Sequence, residues 1–171
     1  MFHWIGFICI VLASSSVGFG YARAIQCQAA QLKELLNALC YMKNEILYRM
    51  TPLPELFDAL ANLQKSAVGL FFSLCSDSMK RERTLPISGI FKNAAEKCRG
   101  LCISPETRQA LLGLGMALGR FDVDGQCRAI ELAEKRLQQE LNALEQNQRA
   151  RCRGYEAIGI CTGLAVAIVL I

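Results

Sequence analysis

Two apolar segments on either side of a charged middle region constrain this chain more than any other feature. Residues 4–22 carry no charge, residues 154–171 carry only Glu156, and all nineteen Lys and Arg lie between the two segments. At about 1.5 Å per residue, a helix over either segment comes close to the roughly 30 Å that a membrane crossing requires, the second falling slightly short. We therefore predict transmembrane helices at residues 1–22 and 154–171.

A cleaved signal peptide is the alternative interpretation of the first segment. Such a peptide begins with basic residues and ends at a small-residue cleavage site. Here no Lys or Arg precedes the apolar run, and aromatic residues flank it at Phe2, Trp4, Phe19 and Tyr21. Aromatic residues are common at the two interfaces of a membrane span. The pattern favours a retained helix.

The basic residues next to the segments predict their orientation. Arg23 follows the first segment, and Arg149, Arg151 and Arg153 precede the second. Because basic residues near a span tend to remain in the cytoplasm, the middle region, residues 23–153, is expected there, with both termini on the opposite side.

Nine cysteines occur at irregular spacings, and the only histidine is His3. An odd number without a C-x-x-C pair does not suggest a disulfide framework, and a zinc site would need four clustered ligands. We expect free thiols in a reducing compartment, and no metal or cofactor.

The middle region is predicted to be entirely helical. Apolar residues recur there at spacings of three and four, and no strand pattern of any length occurs. The predicted helices cover residues 31–50, 52–63, 66–80, 86–99, 105–118 and 123–151. The predicted fold is all-α: a six-helix cytoplasmic bundle flanked by N- and C-terminal transmembrane helices, with Gly154 as the joint before the second.

Cap residues mark the boundaries of these helices. Thr51 is predicted as an N-cap followed by Pro52 at the first helical position, Ser104 as the N-cap of the fifth helix, and Asp122 as the N-cap of the sixth. Gly100 and Gly119 are predicted to end the fourth and fifth helices.

The sequence offers no catalytic set. His3 lies outside the middle region, no glycine-rich loop could hold a phosphate, and Asp122 with Asp124 is better explained as a cap and a first-turn acid than as a catalytic pair. The net charge of +4 is spread along the chain, so nucleic-acid binding is not indicated. We expect no enzyme activity and no small-molecule substrate, and instead a binding or structural role.

Several stretches together resemble one family. They are Gln31-Leu32-x-Glu34-Leu35, Glu45-Ile46-x-Tyr48, Thr51-Pro52-Leu53-x-Glu55 and Leu118-Gly119-x-x-Asp122-x-x-Gly125-Gln126. In this order and between these apolar ends, they resemble the stage III sporulation protein AB family of endospore-forming bacteria. Phe121 and the high cysteine count depart from the pattern, since a small residue is expected before Asp122.

The resemblance implies a function. It implies a cytoplasmic bundle similar to that of the platform protein of type II secretion and type IV pilus systems, in a channel between mother cell and forespore. The implied partners are a secretion-type ATPase, stage III sporulation protein AA, other channel membrane proteins, the lipid bilayer and possible further copies of the chain. The implied location is the mother-cell-derived membrane around the forespore.

The matched residues divide into two groups. Pro52 and Gly119 are expected to set helix boundaries, Leu53 and Leu118 to lie in the core, and Tyr48 to bury its ring. Glu45, Asp122 and Gln126 are open to a partner contact or to a hydrogen bond within the domain. Glu55 and Asp58, on the second helix, are candidates for the ATPase-binding surface because of their expected exposure.

A membrane sensor is the runner-up hypothesis. Two terminal spans around a helical bundle also describe extracytoplasmic ligand-binding domains. That arrangement contradicts the basic flanks and the free thiols, and it would need a cytoplasmic signalling segment. The leading hypothesis is a non-enzymatic membrane platform that couples to the ATPase.

Overall fold

The computed structural model describes residues 24–81, 85–120 and 122–170, with side chains described as far as residue 147. The described residues form six α-helices and no strand, which confirms the predicted all-α class. The helices are α1 (24–44, continued by a π-helical turn at Glu45–Arg49), α2 (Leu53–Leu63), α3 (Ala67–Arg81), α4 (Ile87–Lys97), α5 (Pro105–Leu118) and α6 (Val123–Leu170).

Helices α1 and α6 run antiparallel. Near the start of α1, Gln28 Nε2 donates a hydrogen bond of 2.8 Å to Glu140 Oε1. Near its end, Lys43 Nζ lies 2.6 Å from Glu131 Oε1. Because the residue numbers rise on one helix as they fall on the other, the end of α1 lies beside the first turns of α6.

The other helices follow the same up-and-down order. Lys80, near the end of α3, forms an ion pair of 2.5 Å with Asp58, on the first half of α2. A Cβ on Gly119, just after α5, would lie 3.6 Å from Ile87 Cδ1, at the start of α4. We call the end of the bundle where α1, α3 and α5 end the distal end, and the opposite end the proximal end.

The core is formed by the predicted apolar stripes. Leu32, Leu35, Leu39 and Met42 of α1 are fully buried, as are Ile130 and Leu137 of α6. Four aromatic rings, from Phe57, Phe71, Phe72 and Phe91, pack between α2, α3 and α4 with centroid distances of 5.2–5.9 Å. Edge and tilted ring contacts of this kind add to the stability that burial of the rings supplies.

The start of α2 differs from the prediction by one residue. Thr51 is not its N-cap, because its hydroxyl donates to the Glu45 carboxylate instead. Pro52 occupies the N-cap position without a side-chain hydrogen bond, and the first helical residue is Leu53. The caps predicted for α5 and α6 are present: Ser104 Oγ accepts from Thr107 N at 3.0 Å, and Asp122 Oδ1 from Gly125 N at 3.1 Å.

Of the two predicted glycine stops, Gly119 directly follows the last residue of α5 as predicted, whereas Gly100 does not end α4. Helix α4 ends at Lys97, before Gly100, and the Gly100 carbonyl accepts a hydrogen bond from Gln31 Nε2. Gly119 is the C-cap residue of α5, with a φ of −93°, rather than a left-handed residue beyond it. A Cβ there would make only an ordinary contact with Ile87 at 3.6 Å, so neither packing nor backbone conformation requires glycine at this position.

Helix α6 continues without interruption through Gly154 to Leu170, so the backbone shows no joint at that glycine. Across the part of the chain that the structure describes, no helix combines the length and the hydropathy needed to cross a membrane. The first predicted span lies outside the described residues, and so do the side chains of the second.

Candidate functional site

The carboxylate of Glu45 holds together the corner between α1 and α2. Its Oε2 accepts a hydrogen bond of 2.7 Å from Thr51 Oγ1, and its Oε1 lies 3.0 Å from Arg49 Nη1. The Glu45 carbonyl also accepts the backbone N–H of Met50. The side chain is only 10% exposed, so its charge depends on these partners rather than on water. Of the two roles left open for Glu45, the structure shows the hydrogen bond within the domain.

The backbone at this corner is unusual in two ways. Glu45–Arg49 is a π-helical turn, and Met50 has a φ of 52°, in the left-handed region. Among the described residues, Met50 is the non-glycine residue with a positive φ. A left-handed non-glycine residue costs about 1 kcal/mol, and π-turns are frequent at functional sites. The Glu45 network offsets this cost and fixes the turn.

The same turn carries three exposed large apolar side chains at the distal end. Tyr48 is 78% exposed, Met50 75% and Leu47 38%. The expectation that Tyr48 buries its ring is therefore wrong, and Leu47 and Met50 do not continue the buried stripe of α1. The reason is the π-turn, which contains one more residue than an α-turn and rotates the following side chains away from the core.

The residues at the start of α2 that were predicted to contact a partner differ in how available their side chains are. Pro52 and Glu55 are exposed at the distal end, and Glu55 lies in the first turn of α2. Asp58 is paired with Lys80, and hydrogen bonds from Lys80 and then Ser76 hold the pKa of its carboxyl below the ordinary value. Glu55 is therefore the more available of the two acids for a partner.

The matched stretch at residues 118–126 forms the corner between α5 and α6. Asp122 caps α6, and Gln126 Nε2 donates to the Leu118 carbonyl at 3.4 Å. Leu118 is buried, as predicted, and Leu53 is partly buried. Asp122 and Gln126 thus both form hydrogen bonds within the domain, and the Asp122 carboxylate caps the N-terminus of α6.

The matched stretches at residues 45–55 and 118–126 lie close together at the distal end although they are far apart in the sequence. The π-turn packs against α6, and the ion pair between Lys43 and Glu131 fixes this register. Tyr48 and Met50 are therefore presented beside the α5–α6 corner. We call the exposed side chains of Leu47, Tyr48, Met50, Pro52 and Glu55 the distal surface.

The distal surface is suited to binding a protein. It joins an aromatic ring and a flexible thioether on a corner of fixed geometry, and such side chains are frequent anchors of protein interfaces. Over residues 24–81, 85–120 and 122–170, no group of three or more His, Cys, Asp or Glu could hold a metal ion.

Sequence reasoning missed the surface positions of Leu47 and Met50. Both fit an α-helical stripe, and only the π-turn removes them from it. Sequence reasoning also missed a polar groove at the proximal end, lined by Ser104, Glu106, Arg136 and Glu140 among others. Glu140 in this groove already accepts hydrogen bonds from Gln28 and Thr107, so the groove has a structural explanation.

Comparison with known proteins gives one consistent result. The profile of the family described as stage III sporulation protein AB matches residues 3–171. Stage III sporulation protein AB of Bacillus subtilis (strain 168) is 25% identical over 170 residues, covering 99% of both chains. A solved structure of stage III sporulation protein AB is similar with a TM-score of 0.67 and 25% identity, over 72% of this chain and 98% of that one.

Proposed function

Because this chain belongs to the stage III sporulation protein AB family, we propose that it is a non-enzymatic membrane platform of the sporulation channel between mother cell and forespore. In this proposal the helical bundle receives a cytoplasmic ATPase of the secretion-motor class. The terminal segments hold the bundle at the membrane and contact other channel proteins. The family is one of sporulation proteins rather than a known enzyme family, which agrees with a scaffold.

The observation that carries the docking proposal is the exposure of Tyr48 and Met50 on a corner whose geometry Glu45 fixes. An exposed aromatic side chain on a rigid corner loses little conformational entropy when a partner covers it. The distal surface is therefore a favourable place for a protein to bind, and we assign the ATPase to it.

The proposed membrane attachment rests on the sequence and on the bundle topology. Helix α1 is described from residue 24, immediately after the first apolar segment, and starts at the proximal end. Helix α6 passes the same end and continues as backbone helix to Leu170. Both apolar segments thus connect to the bundle on its proximal side, which supports a membrane there and leaves the distal surface facing the cytoplasm.

The location follows from the family. We propose that the protein resides in the mother-cell-derived membrane around the forespore, with the bundle in the mother-cell cytoplasm. The reducing character of that compartment agrees with the six described cysteines, all of which are free thiols.

Co-purification from a sporulating host tests the docking assignment. The full chain is tagged, extracted in mild detergent and probed for the secretion-type ATPase. We expect recovery of the ATPase with the wild-type chain and at least a tenfold loss with Tyr48→Ala, about the effect of one interface hot spot. Leu70→Ala is the matched control, because Leu70 is also an exposed apolar residue (53%) but lies at the start of α3, at the proximal end.

Two results would contradict parts of the proposal. If the ATPase is never recovered, even with the other channel proteins present, the coupling role is wrong. If Tyr48→Ala and Leu70→Ala recover it equally to the wild type, the coupling stands but the distal surface is not the place of contact.

A further inference from the structure

Gln31 joins the start of α1 to the loop between α4 and α5. Its Oε1 accepts the backbone N–H of Cys102 at 2.7 Å, and its Nε2 donates to the Gly100 carbonyl at 2.9 Å. The side chain is buried to 7% exposure, so this connection is part of the fold. The amide of Gln31 therefore fixes the α4–α5 loop against α1 at the proximal end.

Two free thiols lie around this amide. Gln31 Nε2 also lies 3.4 Å from Cys27 Sγ, one helical turn earlier on α1. Cys102 Sγ lies 3.7 Å from the same Gly100 carbonyl that Gln31 binds. Two cysteines 75 positions apart in the sequence thus lie on either side of the hydrogen bond between Gln31 and Gly100, and both are free thiols.

The two thiols are neighbours across the hydrogen bond between Gln31 and Gly100. A hydrogen bond with the Cys27 side chain, together with burial, raises the pKa of the Cys102 thiol above its ordinary value. Because both sulfurs adjoin the Gln31–Gly100 hydrogen bond, a disulfide forms when the two side chains rotate toward each other.

We propose that Cys27 and Cys102 are a reversible redox pair, which closes to a disulfide between α1 and the α4–α5 loop when a small cellular disulfide compound oxidises it. Cys102 is exposed and Cys27 is half-buried, so the oxidant reaches Cys102 first. Closing the pair adds a covalent tie to the hydrogen bonds of Gln31, and it fixes the proximal end of the bundle.

The chemistry is balanced thiol–disulfide exchange. The Cys102 thiolate attacks one sulfur of the oxidant, forms a mixed disulfide and releases one thiolate of the oxidant. The Cys27 thiolate then attacks Cys102 Sγ and expels the second. Two protein thiols lose two electrons and two protons, and the oxidant becomes two thiols.

Three of the other described cysteines, Cys75, Cys98 and Cys127, are buried and therefore less accessible to an oxidant. Cys98 is buried and its thiol donates to the Ala67 carbonyl at 3.3 Å. Burial raises the pKa of the Cys75 thiol, which is fully enclosed. Cys40 is exposed on α1 and serves as the internal reference for a thiol that a reagent can reach.

Disulfide mapping on the full chain tests the pair. The protein in detergent is equilibrated with mixtures of oxidised and reduced glutathione, the remaining thiols are alkylated, and tryptic peptides are identified by mass. Trypsin places Cys27 in residues 24–33 and Cys102 in residues 100–108. We expect these two peptides to appear linked, with a mass two hydrogen atoms below their sum, and to separate again on reduction.

Variants and unfolding provide the controls. Cys27→Ser and Cys102→Ser should each abolish the link, whereas Cys40→Ser should leave it unchanged. In urea, the preference for this pair over links to other cysteines should disappear. The proposal is overturned if Cys27 and Cys102 of the folded wild-type chain stay unlinked while glutathione modifies Cys40, or if they link to other cysteines as often as to each other.

Discussion

The Thr51 hydroxyl donates a hydrogen bond of 2.7 Å to the Glu45 carboxylate, across the corner where α1 ends and α2 begins. This contact removes Thr51 from the cap position that its sequence context predicts. It also holds a turn in which Met50 is left-handed and Tyr48 faces solvent. One buried acid thus determines both the shape of the corner and the surface that it presents.

Replacing Glu45 should destabilise the fold. Glu45→Ala removes the acceptor of Thr51 and Arg49, and the expected loss is about 2 kcal/mol of unfolding free energy, the usual size for hydrogen bonds to a charged group. Thermal unfolding followed by circular dichroism measures it. Glu131→Ala, which removes the exposed partner of Lys43, should lower the stability less. Equal losses would mean that the Glu45 network adds nothing beyond a surface ion pair.

Two glycines should respond oppositely to alanine. A Cβ on Gly69 in α3 would lie 1.7 Å from the Gln64 carbonyl oxygen, which is backbone and cannot move aside easily. Gly69→Ala should therefore cost more than about 3 kcal/mol or prevent folding. Gly113 in α5 has nothing within 4 Å, so Gly113→Ala should stabilise the chain by about 0.5–1 kcal/mol. Midpoints of thermal unfolding compare the two, and a well-folded Gly69→Ala chain would contradict this packing of α2 on α3.

The Asp58–Lys80 pair should make stability depend on pH in the acid range. Hydrogen bonds from Lys80 and then Ser76 lower the folded-state pKa of Asp58 below its ordinary value of 3.8. Its contribution is therefore present above the unfolded-state pKa and is lost as the pH falls through the lower, folded-state pKa.

The measurement is the stability difference between the wild-type chain and Asp58→Asn, followed from neutral pH to below 3.8. Because both side chains are about half exposed, the difference at neutral pH should be below about 1 kcal/mol and should shrink in high salt. A difference that grows on acidification would contradict the pairing.

Much of the fold follows from local rules that the sequence displays. The apolar stripes of α1 and α6 are buried as predicted, and Ser104 and Asp122 cap their helices. These features depend on residues within one or two helical turns of each other, so spacing and cap chemistry are enough to predict them.

The errors fall where a side-chain contact, a break in the helical period or the packing of separate helices decides the structure. The position of Thr51 outside the cap depends on its hydrogen bond to Glu45, six residues earlier. The exposure of Tyr48 depends on the π-turn, which interrupts the α-helical period. The matched stretches at residues 45–55 and 118–126 lie close together at the distal end because α1 and α6 pack antiparallel. The nearness of Cys27 to Cys102 likewise depends on Gln31, and cysteine spacing alone does not predict it.

Photocrosslinking from position 48 in sporulating cells is the most direct test of the docking proposal. A photoreactive phenylalanine analogue replaces Tyr48 in the full chain, and a second chain carries it at Leu70 on the proximal side. Because Tyr48 is 78% exposed on the distal surface, we predict a light-dependent adduct with the secretion-type ATPase from position 48 and none from position 70. An ATPase adduct from position 70 with none from position 48 would contradict the account.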